Sequence, residues 1–180
     1  MKLTWFAGTT MRIHIGGQIL VADADDAPAS IDRRELVSGA DRTFGLATAD
    51  PALPKIDPAA WRPRPVKSLL DQAPADAEVK ILSIGHRTVL IGAVGEPPLV
   101  LIASSKAPHF GRWADDAVVV LFGAREGLVA MGTVLLDIAR PKLIALATDE
   151  ATIDLAVDEL REHLDGAGLV SLESGLAVEV

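Results

Sequence analysis

Residues 117–122 read AVVVLF, an unbroken apolar run. Side chains of a strand alternate between the two faces of its sheet, so such a run puts apolar groups on both faces. A strand of this kind needs a covering layer on each side. The runs 78–84 (EVKILSI), 87–94 (RTVLIGAV), 99–104 (LVLIAS) and 143–148 (LIALAT) read as further strands of the same character. Between them, Leu128, Met131, Leu135 and Ile138 recur at helical spacing and predict a helix over 126–139. Arg140-Pro141-Lys142 ends it, because proline cannot continue the hydrogen-bond ladder. Ile153, Val157, Leu160 and Leu164 form one apolar stripe and predict a second helix over 149–164. Asp149 or Thr148 can cap its start, and Gly166 can end it.

The first part of the chain has a different pattern. Residues 2–6 and 11–15 read as short strands, with Met11, Ile13 and Ile15 on one face. Gly16-Gly17 is a hairpin signal leading into a strand at 18–23. Two short strands, 169–172 and 176–180, close the chain. An antiparallel first half and a βαβα second half predict an α/β fold, sheet packed on sheet with helices outside. The length of 180 residues fits one domain, 1–180. Six prolines between 47 and 77 exclude a long regular element there. That stretch is expected to be a surface excursion, with one helical turn near Ser68-Leu69-Leu70.

A formal charge of −8 disfavours nucleic acid and anionic membrane surfaces as partners. The basic groups Arg33, Arg34 and Arg42, and Arg62, Arg64 and Lys67, lack interleaved aromatics and read as solvated loop charge. The chain has no cysteine, hence no disulfide, thiolate nucleophile or Cys-ligated zinc. No apolar run reaches the ~20 residues of a membrane-spanning helix, and the start does not read as a signal peptide. A cytoplasmic location is the expectation. A mean hydropathy of +0.32 is high for a monomer of this size and raises a homodimer as a reading.

Three stretches carry a resemblance: TWFAGTTMRIHIGGQILVAD (4–23), ADDAVVVLFGAREG (114–127) and RPKLIALAT (140–148). In this order they resemble the metallo-β-lactamase-fold hydrolases, in particular a small ascorbate-lactonase-like branch. The resemblance implies a four-layer αββα sandwich of the metallo-β-lactamase type, reduced in size. It also implies where a zinc site would fall. The family motif H-x-H-x-D-H follows an early strand and is joined by a later His, an Asp and a final His. On this chain the motif falls on LVSGADRTFGL (36–46), and its ligand positions read Gly39, Asp41, Thr43 and Phe44. The family's Gly-His turn reads Ala7-Gly8. The later histidine corresponds to His86, the bridging aspartate to Ser105 and the last histidine to Thr148. Zinc needs at least three converging imidazole or carboxylate donors, and this set does not supply them.

The remaining candidates have plainer readings. His14, His109 and His163 read as a hairpin, a loop and a late-helix histidine. Asp23, Asp25 and Asp26 form an acidic turn, of which Asp23 matches the family's strand-ending Asp and is expected to orient loops near the cleft. Ser104-Ser105-Lys106 superficially resembles a nucleophile pair, but adjacent strand residues point to opposite faces. Gly123–Gly127 precedes a helix and could receive an anion at its N-terminus, an arrangement that Glu126 opposes. The expectation is a metal-free, cofactor-free and non-catalytic sandwich. Its vestigial cleft, Asp23, Asp41, His86, Ser105 and Thr148, would take a small ligand or a partner protein. The alternative is a zinc hydrolase with a reorganised site, in which Asp41, His86, Thr148 and Asp23 converge on one metal or water.

Overall fold

The computed structural model describes residues 1–46, 50–64 and 79–180. The first strands follow their apolar alternation: β1 (Lys2–Ala7), β2 (Thr10–Ile15) and β3 (Gln18–Ala22) pair antiparallel in succession. Gly16 and Gly17 turn β2 into β3 with φ of 56° and 77°, a backbone region glycine occupies without steric cost. β4 (Arg42–Phe44) adds in parallel beside β3, and β11 (Ala177–Glu179) adds antiparallel beside β1.

The second sheet contains the continuously apolar strands. β5 (Lys80–Gly85), β6 (Thr88–Gly92) and β7 (Leu99–Ile102) run antiparallel, and β8 (Val118–Phe122), β9 (Leu143–Ala147) and β10 (Gly168–Ser171) extend β7 in parallel. Every residue of β8 is buried, as its sequence requires. Helix α2 (Arg125–Ile138) links β8 to β9, and α3 (Glu150–Arg161) links β9 to β10.

Three buried clusters separate the layers. Leu3, Met11, Ile13 and Leu20 of the first sheet meet Ile91, Leu101, Val118 and Val120 of the second. Val100, Val119 and Ile144, on the other face of the second sheet, meet Leu128 and Leu135 of α2 and Leu160 of α3. Val21, on the outer face of the first sheet, meets Leu36 of the short helix α1 (Arg33–Val37). The order is helix, sheet, sheet, helices: the expected four-layer αββα sandwich. Each fully buried Leu, Ile or Val in these clusters contributes roughly 1.5–3 kcal/mol of transfer free energy.

Several sequence expectations are corrected. α1 and β4 span few residues and carry no periodicity long enough to read. α3 stops at Arg161 with Glu162 as its C-cap, so Gly166 does not end it. Ile138 shares the helical spacing of Leu128 and Leu135 but is 54% exposed, because it occupies the last position of α2. Strand β7 ends at Ile102, which places Ser104-Ser105-Lys106 in a bend beyond the sheet.

Residues 50–64 are more than a surface excursion. The Ile56 N–H donates to the Ser83 carbonyl at 3.1 Å, and the Ser83 N–H donates to that of Pro54 at 2.9 Å. This segment therefore satisfies the outer edge of β5, an edge that would otherwise offer unpaired backbone groups. Leu53 is buried, and the Trp113 indole N–H donates to the Pro58 carbonyl at 2.7 Å. Trp61 packs edge-on against Trp113, with ring centroids 5.1 Å apart. The expected helical turn at Ser68–Leu70 lies outside the described residues.

Candidate functional site

Parallel strands β7 to β10 all end at the same edge of the second sheet, and their following loops gather there. In open sheets this carboxyl edge is where ligands bind. His86 and Arg87 reach it from the β5–β6 turn, because Thr88 pairs with Ile102 at the end of β7. The β1–β2 turn at Gly8 arrives from the first sheet. A cavity of about 610 Å³ opens there beside Trp5, Thr148, Asp149, Ser171 and Glu173, and two adjoining cavities open next to it. One, of about 270 Å³, is lined by His86, Arg87, Ser104, Ser105, Gly123 and Met131 among others. The other, of about 510 Å³, is lined by Trp5, Gly8, Arg87, Phe122, Thr148 and Asp149 among others. Arg87, Ala103, Phe122 and Gly123 border both.

The sequence-predicted residues divide on this geometry. His86 and Ser105 line the smaller cavity, and both side chains are exposed. Thr148 lines the larger one, is 7% exposed, and places its hydroxyl 3.5 Å from the Asp149 carboxylate. Asp149 caps α3: its Oδ1 accepts the Thr152 N–H at 2.9 Å and its Oδ2 the Thr152 hydroxyl at 3.0 Å. These bonds, the backbone one first, hold its carboxyl below the ordinary 3.8.

Asp23 lies at the same end of the sandwich but does not line either cavity. It is 6% exposed, with a left-handed backbone at φ 46°. Its Oδ1 accepts the Leu46 N–H at 2.8 Å, and its carbonyl accepts the Thr10 hydroxyl at 3.0 Å. It ties the turn after β3 to the segment after β4, a loop-orienting role.

Asp41 is not brought to this end. Its Oδ2 accepts the Ile19 N–H at 2.7 Å, and its own N–H donates to the Ile19 carbonyl at 2.8 Å. Ile19 lies four residues before Asp23, which along a strand is about 13 Å. The alignment through 36–46 explains the displacement. The family motif follows a strand, but here Arg42–Phe44 form the strand itself and the segment that follows begins at Gly45.

Of the four histidines, His86 alone lines either cavity. His14 borders a separate cavity with Gly16, Gly17 and Glu96, at the hairpin end of the molecule. Among the described residues, no three His, Cys, Asp or Glu side chains are grouped to hold a metal ion. Zinc does not fit what lines the cavity beside His86: the nearby polar groups are hydroxyls and the Arg87 guanidinium, whose charge opposes a cation. Sequence reasoning missed Arg87. The signal was its place immediately after His86 in a turn, next to the residue the resemblance singled out.

No protein-family model matches the chain, and no curated protein matches it. Among solved structures, the chain is similar to a candidate Zn-dependent hydrolase of the metallo-β-lactamase superfamily from Thermotoga maritima. The two share 15% identity, with 95% of this chain and 98% of that chain covered and a TM-score of 0.44. Likeness at that level is too low to assign a fold or an activity. The αββα order rests on this chain's own strands and clusters.

Proposed function

We propose that this chain is a reduced, catalytically degenerate sandwich of the metallo-β-lactamase type, and that its carboxyl-edge cleft binds a small ligand without zinc chemistry. One observation carries the reading. Where converging metal donors would be required, the smaller cavity presents one imidazole, two serine hydroxyls and a guanidinium, and the adjoining one adds threonine hydroxyls and the single carboxylate of Asp149, which caps α3. Hydroxyls and a cation suit recognition of a polar or anionic ligand. They do not suit the generation of a metal-bound nucleophile. The reorganised hydrolase reading is weaker, because Asp41 stands at the far end of β3 from His86 and Thr148.

Calorimetric titration of chelator-treated protein with zinc tests the proposal. The expected result is no saturable site, with His86→Ala indistinguishable from the parent. Stoichiometric zinc binding that His86→Ala abolishes would overturn it.

A further inference from the structure

We propose that the smaller cavity is an oxyanion site, with Arg87 as its recognition residue and a small carboxylate or phosphate as its ligand class. The proposal rests on the ligand-binding reading above and gives that ligand its chemistry.

Arg87 is an unusual side chain for its surroundings. Arg125 and Arg140 pair with Glu159 and Asp165, and Arg12, Arg42 and Arg62 donate to backbone carbonyls. Arg87 makes no such pair among the described residues. Its Nε is buried and has no hydrogen-bond partner. An N–H donor left unpartnered out of water costs about 1–3 kcal/mol, more for a charged group. Its backbone is also held in the left-handed region, at φ 49°, where a residue with a Cβ is uncommon. Main-chain pairing fixes that turn, since the Ala103 N–H donates to the Arg87 carbonyl at 3.0 Å. The fold thus places a guanidinium with one buried, unpartnered N–H at the wall of a cavity.

The lining supplies the complement. Among the described residues no carboxylate borders the 270 Å³ cavity, whereas His86, Ser104 and Ser105 do. Gly127, in the first turn of α2, borders it as well. That helix has no side-chain cap, and the first bond onto its N-cap carbonyl comes from the Leu128 N–H to Ala124 at 3.0 Å. The amides before Leu128 therefore lack helical acceptors. Glu126 stands in the same first turn but does not line the cavity. Asp149 does not line this cavity but borders two others, and Thr152 occupies its carboxylate. Ile102, Leu121, Phe122, Leu128 and Met131 give the wall its apolar part. An oxyanion would take a forked hydrogen bond from Arg87, a geometry that lysine does not reproduce. A short apolar body would rest on the leucines and methionine.

Amide NMR of the full chain, titrated separately with inorganic phosphate and with butyrate, tests this. The expected result is saturable shifts centred on Arg87, Ser105, Gly123 and Gly127. Arg87→Gln is expected to weaken binding about tenfold or more and Arg87→Lys less, with far-ultraviolet circular dichroism reporting an intact fold. Binding by butyrate alone would assign an organic carboxylate, and binding by phosphate alone a phosphate ester. Shifts scattered over surface Lys and Arg, no saturation with either anion, or equal affinity in Arg87→Gln would overturn the proposal. None of these outcomes touches the zinc titration, so the two readings fail separately.

Discussion

His14 shows how one side chain can carry a pH response without belonging to the site. It lies on β2 opposite Lys2 and one position from Ile13, and burial, followed by the charges of Arg12 and Lys2, lowers its pKa from the ordinary 6.5. A lowered histidine pKa means that the unfolded chain binds the proton more readily than the folded one. Its contribution is therefore fully present above 6.5 and is lost as pH falls below that value. Urea midpoints measured across that range should fall toward acid, and His14→Gln should flatten the fall. An identical pH profile in the variant would count against the assignment. Legibility at this scale was mixed. His86, Ser105 and Thr148 could be placed at one end of the molecule from resemblance alone, since each follows a strand whose run was plain. Asp41 could not, because a three-residue strand decides which side of it the loop lies on. For Arg87 only its place after His86 was legible; its unpartnered Nε among the described residues was not, because partners are contributed by residues distant in sequence.

At the scale of elements, the outer layer depends on a close approach of α2 and α3. Gly132 sits where the two helices meet. A Cβ there would lie 2.7 Å from Cδ2 of Leu160 and 3.0 Å from its Cδ1. Leu160 is fully buried, so its side chain has little room to withdraw. Gly132→Ala gains up to about 1 kcal/mol of helix propensity and meets an overpacking cost of about 1–3 kcal/mol. The overpacking cost prevails, and a net loss of about 1 kcal/mol is expected in chemical denaturation. A stabilised variant would mean that the helices are less tightly joined than they stand here. The long elements were legible because burial on both faces or on one stripe leaves a period that survives in sequence. The segment at 50–64 was not, since its pairing with Ser83 uses main-chain groups, and its anchors, Leu53, Pro58 and Trp61, follow no period.

For the whole molecule, the αββα order gathers the loops after β7, β8 and β9 around adjoining cavities, and no three His, Cys, Asp or Glu side chains are grouped there to hold a metal ion among the described residues. No helix among the described residues is long and apolar enough to cross a membrane. The exposed large apolar side chains among the described residues are Val134, Ile138 and Leu155 on the outer helices and Leu176 before β11. Neither the layers nor those faces distinguish a hydrolase from a binding protein; the proposed reading rests on the cleft's donor set. Elemental analysis of untagged protein, purified from zinc-supplemented cells and without chelator, measures that difference directly. A metal-to-chain ratio near zero is the predicted result. A ratio of one or more, lowered by His86→Ala, would contradict the account.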